Sequence, residues 1–273
     1  MTPDPLSRIR IVLVEPAGPL NIGSVARAMK NMGLQQLILV NPQCDPLGTE
    51  ARMMAVHATD LLETATVVST IPEALQGCQR AIATTGLDRT QPPSLETPRN
   101  ALPWLLETPS ALIFGREDRG LTNAELNYAQ RLVRIPSSDA YSSLNLAQAV
   151  AICCYELSQA TANRGTTDLA TDSTTQSPLS SPSAPLEALE AYYQQLETLL
   201  LQIGYLYPHT AASRMEKFRR LFNRAYPTAE EVALLRGILR QVDWAVRCYP
   251  KNSVSDTLNP IQDCSGDTLH EFL

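Results

Sequence analysis

The chain has 273 residues, 44% of them apolar, and a formal net charge of −6 at pH 7. That length builds one large domain or two smaller ones with a sizeable core; no apolar run reaches the roughly 18 residues of a membrane span, and Met1-Thr2-Pro3-Asp4 lacks the basic and apolar regions of a signal peptide, so a cytoplasmic protein is expected. The acidic balance argues against a generic polyanion binder, because phosphate affinity comes largely from Lys and Arg releasing counterions.

Ile9 and the run 11–14 are mostly β-branched, the pattern of a strand covered on both faces in a parallel sheet. Glu15-Pro16-Ala17-Gly18-Pro19 ends it. Ile22, Val25, Ala26, Met29 and Met32 trace one helical face, with Asn21 placed to cap it and Gly33 to stop it. Residues 37–40 read as a second strand, which completes a βαβ unit. Arg27 sits off the apolar stripe, about 140° around the helix from Ile22. A solvated surface arginine and a functional one are equally good readings of it.

Residues 51–62 predict a second helix, 72–78 a third, short one, and 80–84 a strand broken by Thr85-Gly86. A Pro-rich loop over 87–99 and a short helical piece over 102–106 follow. The strand 111–114 runs into Gly115-Arg116-Glu117-Asp118-Arg119-Gly120-Leu121, a glycine-bounded turn before a Thr122-capped helix over 123–129. Two glycines flanking a carboxylate at a strand C-terminus suit a ligand loop of an open α/β sheet, although a tight strand-to-helix connection also wants glycine. A strand over 132–135 is stopped by Pro136. The chain then re-enters a helical repeat (Leu144, Ala147, Val150, Ala151, Cys154, Leu157) at Ser142 or Ser143. Free N–H groups and the positive end of the helix dipole collect at such a start and can hold a ligand by backbone; serine is equally an ordinary cap.

Residues 161–185 change to Thr, Ser, Pro, Gly, Asp and Ala, the composition of a linker. Amphipathic helices over 186–201, 215–225 and 231–247 predict a small all-α C-terminal domain, and the chain is polar and aperiodic from Tyr249 onward. The expected division is therefore 1–160, a linker 161–185, a three-helix domain 186–248 and a loose tail 249–273. The six cysteines show neither a C-x-x-C spacing nor a companion His cluster, so no metal site or disulfide framework is expected. Arg214, Lys217, Arg219, Arg220 and Arg224 face only Glu216 between positions 214 and 224, a net +4 over about three helical turns. This cluster keeps nucleic acid as a candidate partner, against the ordinary reading of a solvated helix face.

Three segments stand in order: Asn21-Ile22-Gly23-Ser24-Val25-Ala26-Arg27, Phe114-Gly115-Arg116-Glu117-Asp118-Arg119-Gly120-Leu121, and Ile135-Pro136 with Ser142-Ser143-Leu144-Asn145-Leu146. As a set they resemble the signature motifs of the SpoU-type RNA 2′-O-methyltransferases of the SPOUT superfamily, across residues 8–160. Phe218-Arg219-Arg220-Leu221-Phe222-Asn223-Arg224-Ala225 with Leu234-Leu235-Arg236-Gly237-Ile238-Leu239 resembles the extension of one branch, the TrmJ-type tRNA (cytidine/uridine-2′-O-)-methyltransferases. The resemblance implies a parallel α/β domain with a C-terminal trefoil knot, a homodimer, S-adenosylmethionine as methyl donor and tRNA as substrate. It implies that Thr84, Thr85, Gly86, Gly115, Ile135, Ser142, Ser143 and Leu144 line the donor pocket. Arg27, Glu117, Ser143 and Asn145 would line the reaction centre, braced by Asn21.

Accounts of the family often make the first-motif arginine the general base, but a guanidinium with a pKa above about 12 suits a charge-stabilising cation better. Proton removal is then open to Ser143, a phosphate or water, and Glu117 could orient Arg27 through a charge-assisted hydrogen bond. The implied target is the ribose 2′-OH of nucleotide 32, C or U, in the tRNA anticodon loop. The same chemistry at another tRNA position or on ribosomal RNA, or a non-catalytic RNA-binding module, are the alternatives.

Overall fold

A computed structural model describes residues 4–86, 95–138, 143–167 and 183–248. Seven parallel strands form one sheet: β1 (Ile9–Val14), β2 (Gln36–Val40), β3 (Thr66–Val68), β4 (Arg80–Thr84), β5 (Leu95–Glu96), β6 (Ser110–Phe114) and β7 (Arg131–Val133), in the spatial order β3-β2-β1-β6-β4-β7-β5. The order runs outward from β1 to β3 on one side and then resumes across β6 on the other. The C-terminal ends of β1, β6, β4 and β7 therefore lie side by side, the place where open α/β sheets bind ligands.

The β-branched runs bury both faces, and alternation assigns each residue to one of two cores. Ile9, Ile11, Leu13, Leu37, Leu39, Ile82, Leu112 and Phe114 face α1 (Pro19–Asn31), α2 (Thr49–Ala55), α3 (Thr59–Glu63), α5 (Pro98–Ala101) and α7 (Leu146–Thr167). Val12, Val14, Ile38, Val40, Ala81, Ala83, Ala111 and Ile113 face α4 (Ile71–Ala74), α6 (Asn123–Leu126) and the three helices α8 (Leu186–Gln202), α9 (Pro208–Ala225) and α10 (Ala229–Cys248). α1 starts on Pro19 after Gly18 and ends in a Schellman motif, in which the N–H groups of Gly33 (φ +81°) and Leu34 bond the carbonyls of Lys30 and Met29. A Cβ on Gly23 would lie 2.2 Å from the Ala51 carbonyl, so α1 and α2 touch backbone to backbone.

Several expectations need correction. Asn21 is the third residue of α1 rather than its cap, which is Gly18. The helix expected over 51–62 breaks at Val56 (φ +52°), and its two halves turn to keep Ala51, Ala55, Leu61 and Leu62 inside while Val56 stays exposed. α7 begins at Leu146, not at the serines, and runs to Thr167, past the expected linker start. Its last turns are tied down where Arg164 donates to the Pro103 carbonyl and pairs with Glu107.

The short strands β3 and β5 were not expected; each is held by a single neighbour, and too few residues alternate for a pattern to register.

The C-terminal helices do not stand apart as a free bundle. Leu186, Leu189, Tyr192, Tyr193 and Leu196 enter the sheet's second core. The Leu186 N–H donates to the Cys78 carbonyl, and Asn223 Nδ2 donates to the carbonyls of Asn127 and Ala129. Among the described residues no helix is long and apolar enough to cross a membrane. The tail from position 249 lies outside the described residues.

Candidate active site

The strand ends build a cavity of about 120 Å³ whose wall includes Thr84, Thr85, Gly86, Gly115, Ile135, Ser143 and Leu144, together with Glu117. Seven of the eight residues expected for the donor pocket thus share one wall; the eighth, Ser142, lies outside the described residues. Thr84 at the end of β4 donates its hydroxyl to the Ile113 carbonyl, and the Thr85 N–H bonds Val133, which holds this turn between β6 and β7. Gly115 is required by contact: a Cβ there would sit 2.2 Å from the Gly120 carbonyl carbon and 2.3 Å from the Leu121 nitrogen. The loop closes on itself through the Gly120 N–H to Arg116 carbonyl bond at 2.8 Å, with Gly120 at φ +66°.

Glu117 is the centre of a network that joins the three motifs. Its carboxylate accepts from the N–H groups of Ala17 and Gly18, both at 3.0 Å, and from Asn21 Nδ2 at 2.9 Å. Asn21 Oδ1 in turn accepts from Asn145 Nδ2 at 2.9 Å, and Asn145 Oδ1 caps α7 by accepting from the N–H groups of Ala147 and Gln148. Burial pushes the Glu117 carboxyl up, but the bonds from Ala17, Asn21 and Gly18 outweigh it and hold the group below its ordinary value. A second clamp lies beside it. Arg119 donates to Glu15 and to Glu125, whose capping box with Thr122 starts α6. Hydrogen bonds to these two carboxylates push the Arg119 guanidinium up.

The residues of the expected reaction centre are only partly brought together. Glu117 and Ser143 line the cavity, Asn21 and Asn145 stand behind Glu117, and Arg27 lies on the exposed side of α1 outside the cavity wall. The expected Glu117–Arg27 hydrogen bond is not there, because the Glu117 oxygens are taken by backbone and Asn21.

The expected RNA cations also separate. Lys217, Arg220, Arg224 and Arg214 are exposed, although Arg220 pairs with Glu216 and Arg214 folds over the Tyr205 ring. Arg219 does not belong to that surface. Its side chain is 16% exposed, forms two bonds to Glu190 at 2.6 and 2.8 Å, and lies over the rings of Tyr193 and Tyr128. It locks α9 to α8 and to the turn after α6.

The sequence reading missed Arg119 and Glu15 as a brace of the cavity loop. They lie 104 positions apart, and the only legible sign was the Thr122-to-Glu125 spacing of the capping box.

The SpoU rRNA Methylase family model matches residues 8–155, and the model of the tRNA methyltransferase TrmJ C-terminal domain matches residues 187–252. The chain is 43% identical over 241 residues to the tRNA (cytidine/uridine-2′-O-)-methyltransferase TrmJ of Pectobacterium atrosepticum, covering 87% of this chain and 97% of the relative. It is 42% identical over 248 residues to the tRNA (cytidine/uridine/adenosine-2′-O-)-methyltransferase TrmJ of Pseudomonas aeruginosa, covering 89% of this chain and 96% of that one. The crystal structure of TrmJ from Z. mobilis ZM4 superposes with a TM-score of 0.74 at 32% identity, over 86% of this chain and 98% of that chain. The chain belongs to the SpoU methylase family and, within it, to the TrmJ-type tRNA 2′-O-methyltransferases.

Proposed function

We propose that this protein transfers the methyl group of S-adenosylmethionine to the ribose 2′-OH of C or U at position 32 of the tRNA anticodon loop. The observation that carries the reading is the joining of three separated loops at the strand ends by the Glu117–Asn21–Asn145 chain, beside a cavity floored by glycine backbone. The cavity wall combines apolar Phe114, Leu121 and Leu146 with main-chain polar groups, which suits an adenosyl group with a polar methionine end. When bound, the donor supplies an electrophilic methyl on sulfur.

The protein's part is alignment and charge. In-line displacement needs oxygen, methyl and sulfur in a row, and the hydroxyl proton must leave. Glu117 spends its charge on Ala17, Gly18 and Asn21, so it positions the loop after β1 and does not act as the base. Proton removal falls to Ser143, which lines the cavity, to a phosphate or to water. Arg27, permanently charged, binds phosphate and stabilises the developing alkoxide. Leu20, Ile152 and Tyr155 are exposed apolar residues on α1, which carries Arg27, and on α7, which packs against α1. A homodimer covering them would set Arg27 at the seam, facing a partner's cavity. A C-terminal trefoil knot, which the family resemblance implies, belongs to the same reading.

The proposed units are the chain through the end of α7 for the transfer site, a linker between α7 and α8, 186–248 for tRNA binding through Arg214, Lys217, Arg220 and Arg224, and a tail 249–273. Incubating unmodified tRNA with protein and S-adenosylmethionine and mapping ribose methylation tests the proposal. Methylation at nucleotide 32 is the expected result. A mark only at another tRNA position or on ribosomal RNA would move the target, and no donor binding would leave a non-catalytic RNA-binding module.

A further inference from the structure

α10 buries one side against α8 and the sheet and presents a second, differently built side to solvent. Val232, Leu235 and Leu239 take the inner arc. Arg236, Arg240, Trp244 and Arg247 are spaced by four, four and three residues, so they form one row on the outer surface. Trp244 is 58% exposed, and no ring or cation covers it among the described residues. Arg240, one turn before it, is exposed and has no carboxylate partner there. Arg247, one turn after it, pairs among the described residues only with Asp243 of its own helix. A large exposed indole flanked by cations on an acidic protein has a cost in solubility that a structural role does not explain, because among the described residues no ring or cation covers it.

We infer that the Arg240–Trp244–Arg247 row of α10 is a stacking site for an unpaired base of the tRNA. The inference rests on the tRNA reading above and adds a subsite to it. An indole face accepts any base, and flanking arginines hold the phosphates on either side of a splayed nucleotide. A helical duplex offers no free base face, so the row selects a loop or single-stranded end. The chemistry differs from that of the α9 surface, where Lys217 and Arg224 offer charge without an aromatic ring.

The chain contains two tryptophans, and Trp104 is held between Arg80 and Arg131, so Trp244 is the exposed emitter. Full-length protein is titrated with unmodified tRNA, with a short single-stranded RNA and with a blunt RNA duplex, following tryptophan fluorescence. Quenching by tRNA and by the single strand but not the duplex is expected, and Trp244→Phe should remove the quenched component while keeping most of the affinity. Trp244→Ala should weaken tRNA binding roughly 5- to 100-fold, the loss of one stacked base, and raise KM more than it lowers kcat. Arg240→Gln should reduce the salt slope by about one phosphate contact. Wild-type affinity in Trp244→Ala, or equal quenching by the duplex, would overturn the site. So would sedimentation of Trp244→Ala as a smaller species, which would assign the row to self-association. A wild-type protein that binds no tRNA would overturn the tRNA reading itself.

Discussion

Glu117 accepts three hydrogen bonds, and removing its charge leaves those donors facing a neutral amide. Glu117→Gln should cost about 1–3 kcal/mol, the range for losing charged hydrogen bonds, measured as a shift in the urea midpoint at neutral pH. Because the folded carboxyl titrates below its unfolded value, its stabilisation is complete above the ordinary carboxylate range and is lost as pH falls through the depressed value. The gap between wild type and variant should therefore close on acidification; a constant gap would count against the charge. Arg27 presents the opposite case. It is exposed and makes no bond among the described residues, so Arg27→Ala should hold the thermal midpoint within a few degrees, as for a surface change worth about 0.5 kcal/mol. Methyl transfer should fall by about two orders of magnitude or more. Normal turnover would remove Arg27 from the chemistry.

At the scale of the element, α7 is the helix whose start decides where the reaction centre sits. Asn145 both caps it and holds Asn21, so one side chain couples the helix to the first motif. Asn145→Ala should lose about 1 kcal/mol from the cap alone. It should also lower kcat further than that stability loss explains, because Asn21 is released from its partner. Asn145→Asp keeps the cap oxygen but cannot donate to Asn21, so it should restore stability and leave kcat low. Recovery of both together would reduce Asn145 to an ordinary cap.

For the whole molecule, the second face of the sheet is the element most dependent on the rest of the chain. Val12, Val14, Ile38 and Ile113 are covered on that side by helices that include α8, α9 and α10. A fragment ending at position 167 keeps the cavity but exposes that face, so it should bind the donor while melting lower and associating in sedimentation. A monomeric fragment with the full-length midpoint would show the helices to be a dispensable cover. Lys217, Arg220 and Arg224 lie on the far side of α9 from this core. Neutralising all three should flatten the salt dependence of tRNA binding by up to about three phosphate contacts and leave donor affinity unchanged, as read by filter binding and calorimetry. An unaltered slope would place the RNA surface elsewhere.

The central strands were legible because β-branched runs of fixed length carry their own pattern, and β1 and β4 begin and end where periodicity placed them. The Gly33 stop, the Thr122 cap and the existence of three C-terminal amphipathic helices were legible for the same reason: local chemistry decides them, although α9 starts at Pro208 and not at Met215 as the apolar repeat suggested. The motif residues could be named from the sequence, but not their bonds. Glu117 lies 96 positions from Asn21 and Asn21 lies 124 from Asn145, so only the parallel order of the strands brings them within 3 Å. Arg219 could not be told from Arg220 by spacing or charge. The difference arises because one faces Glu190, Tyr193 and Tyr128 while its neighbour, turned about 100° around the helix, faces water. Local pattern determined the central strands and the long helices; long-range packing decided the short edge strands, the break at Val56, and which polar groups are spent inside the fold and which are left to meet a ligand.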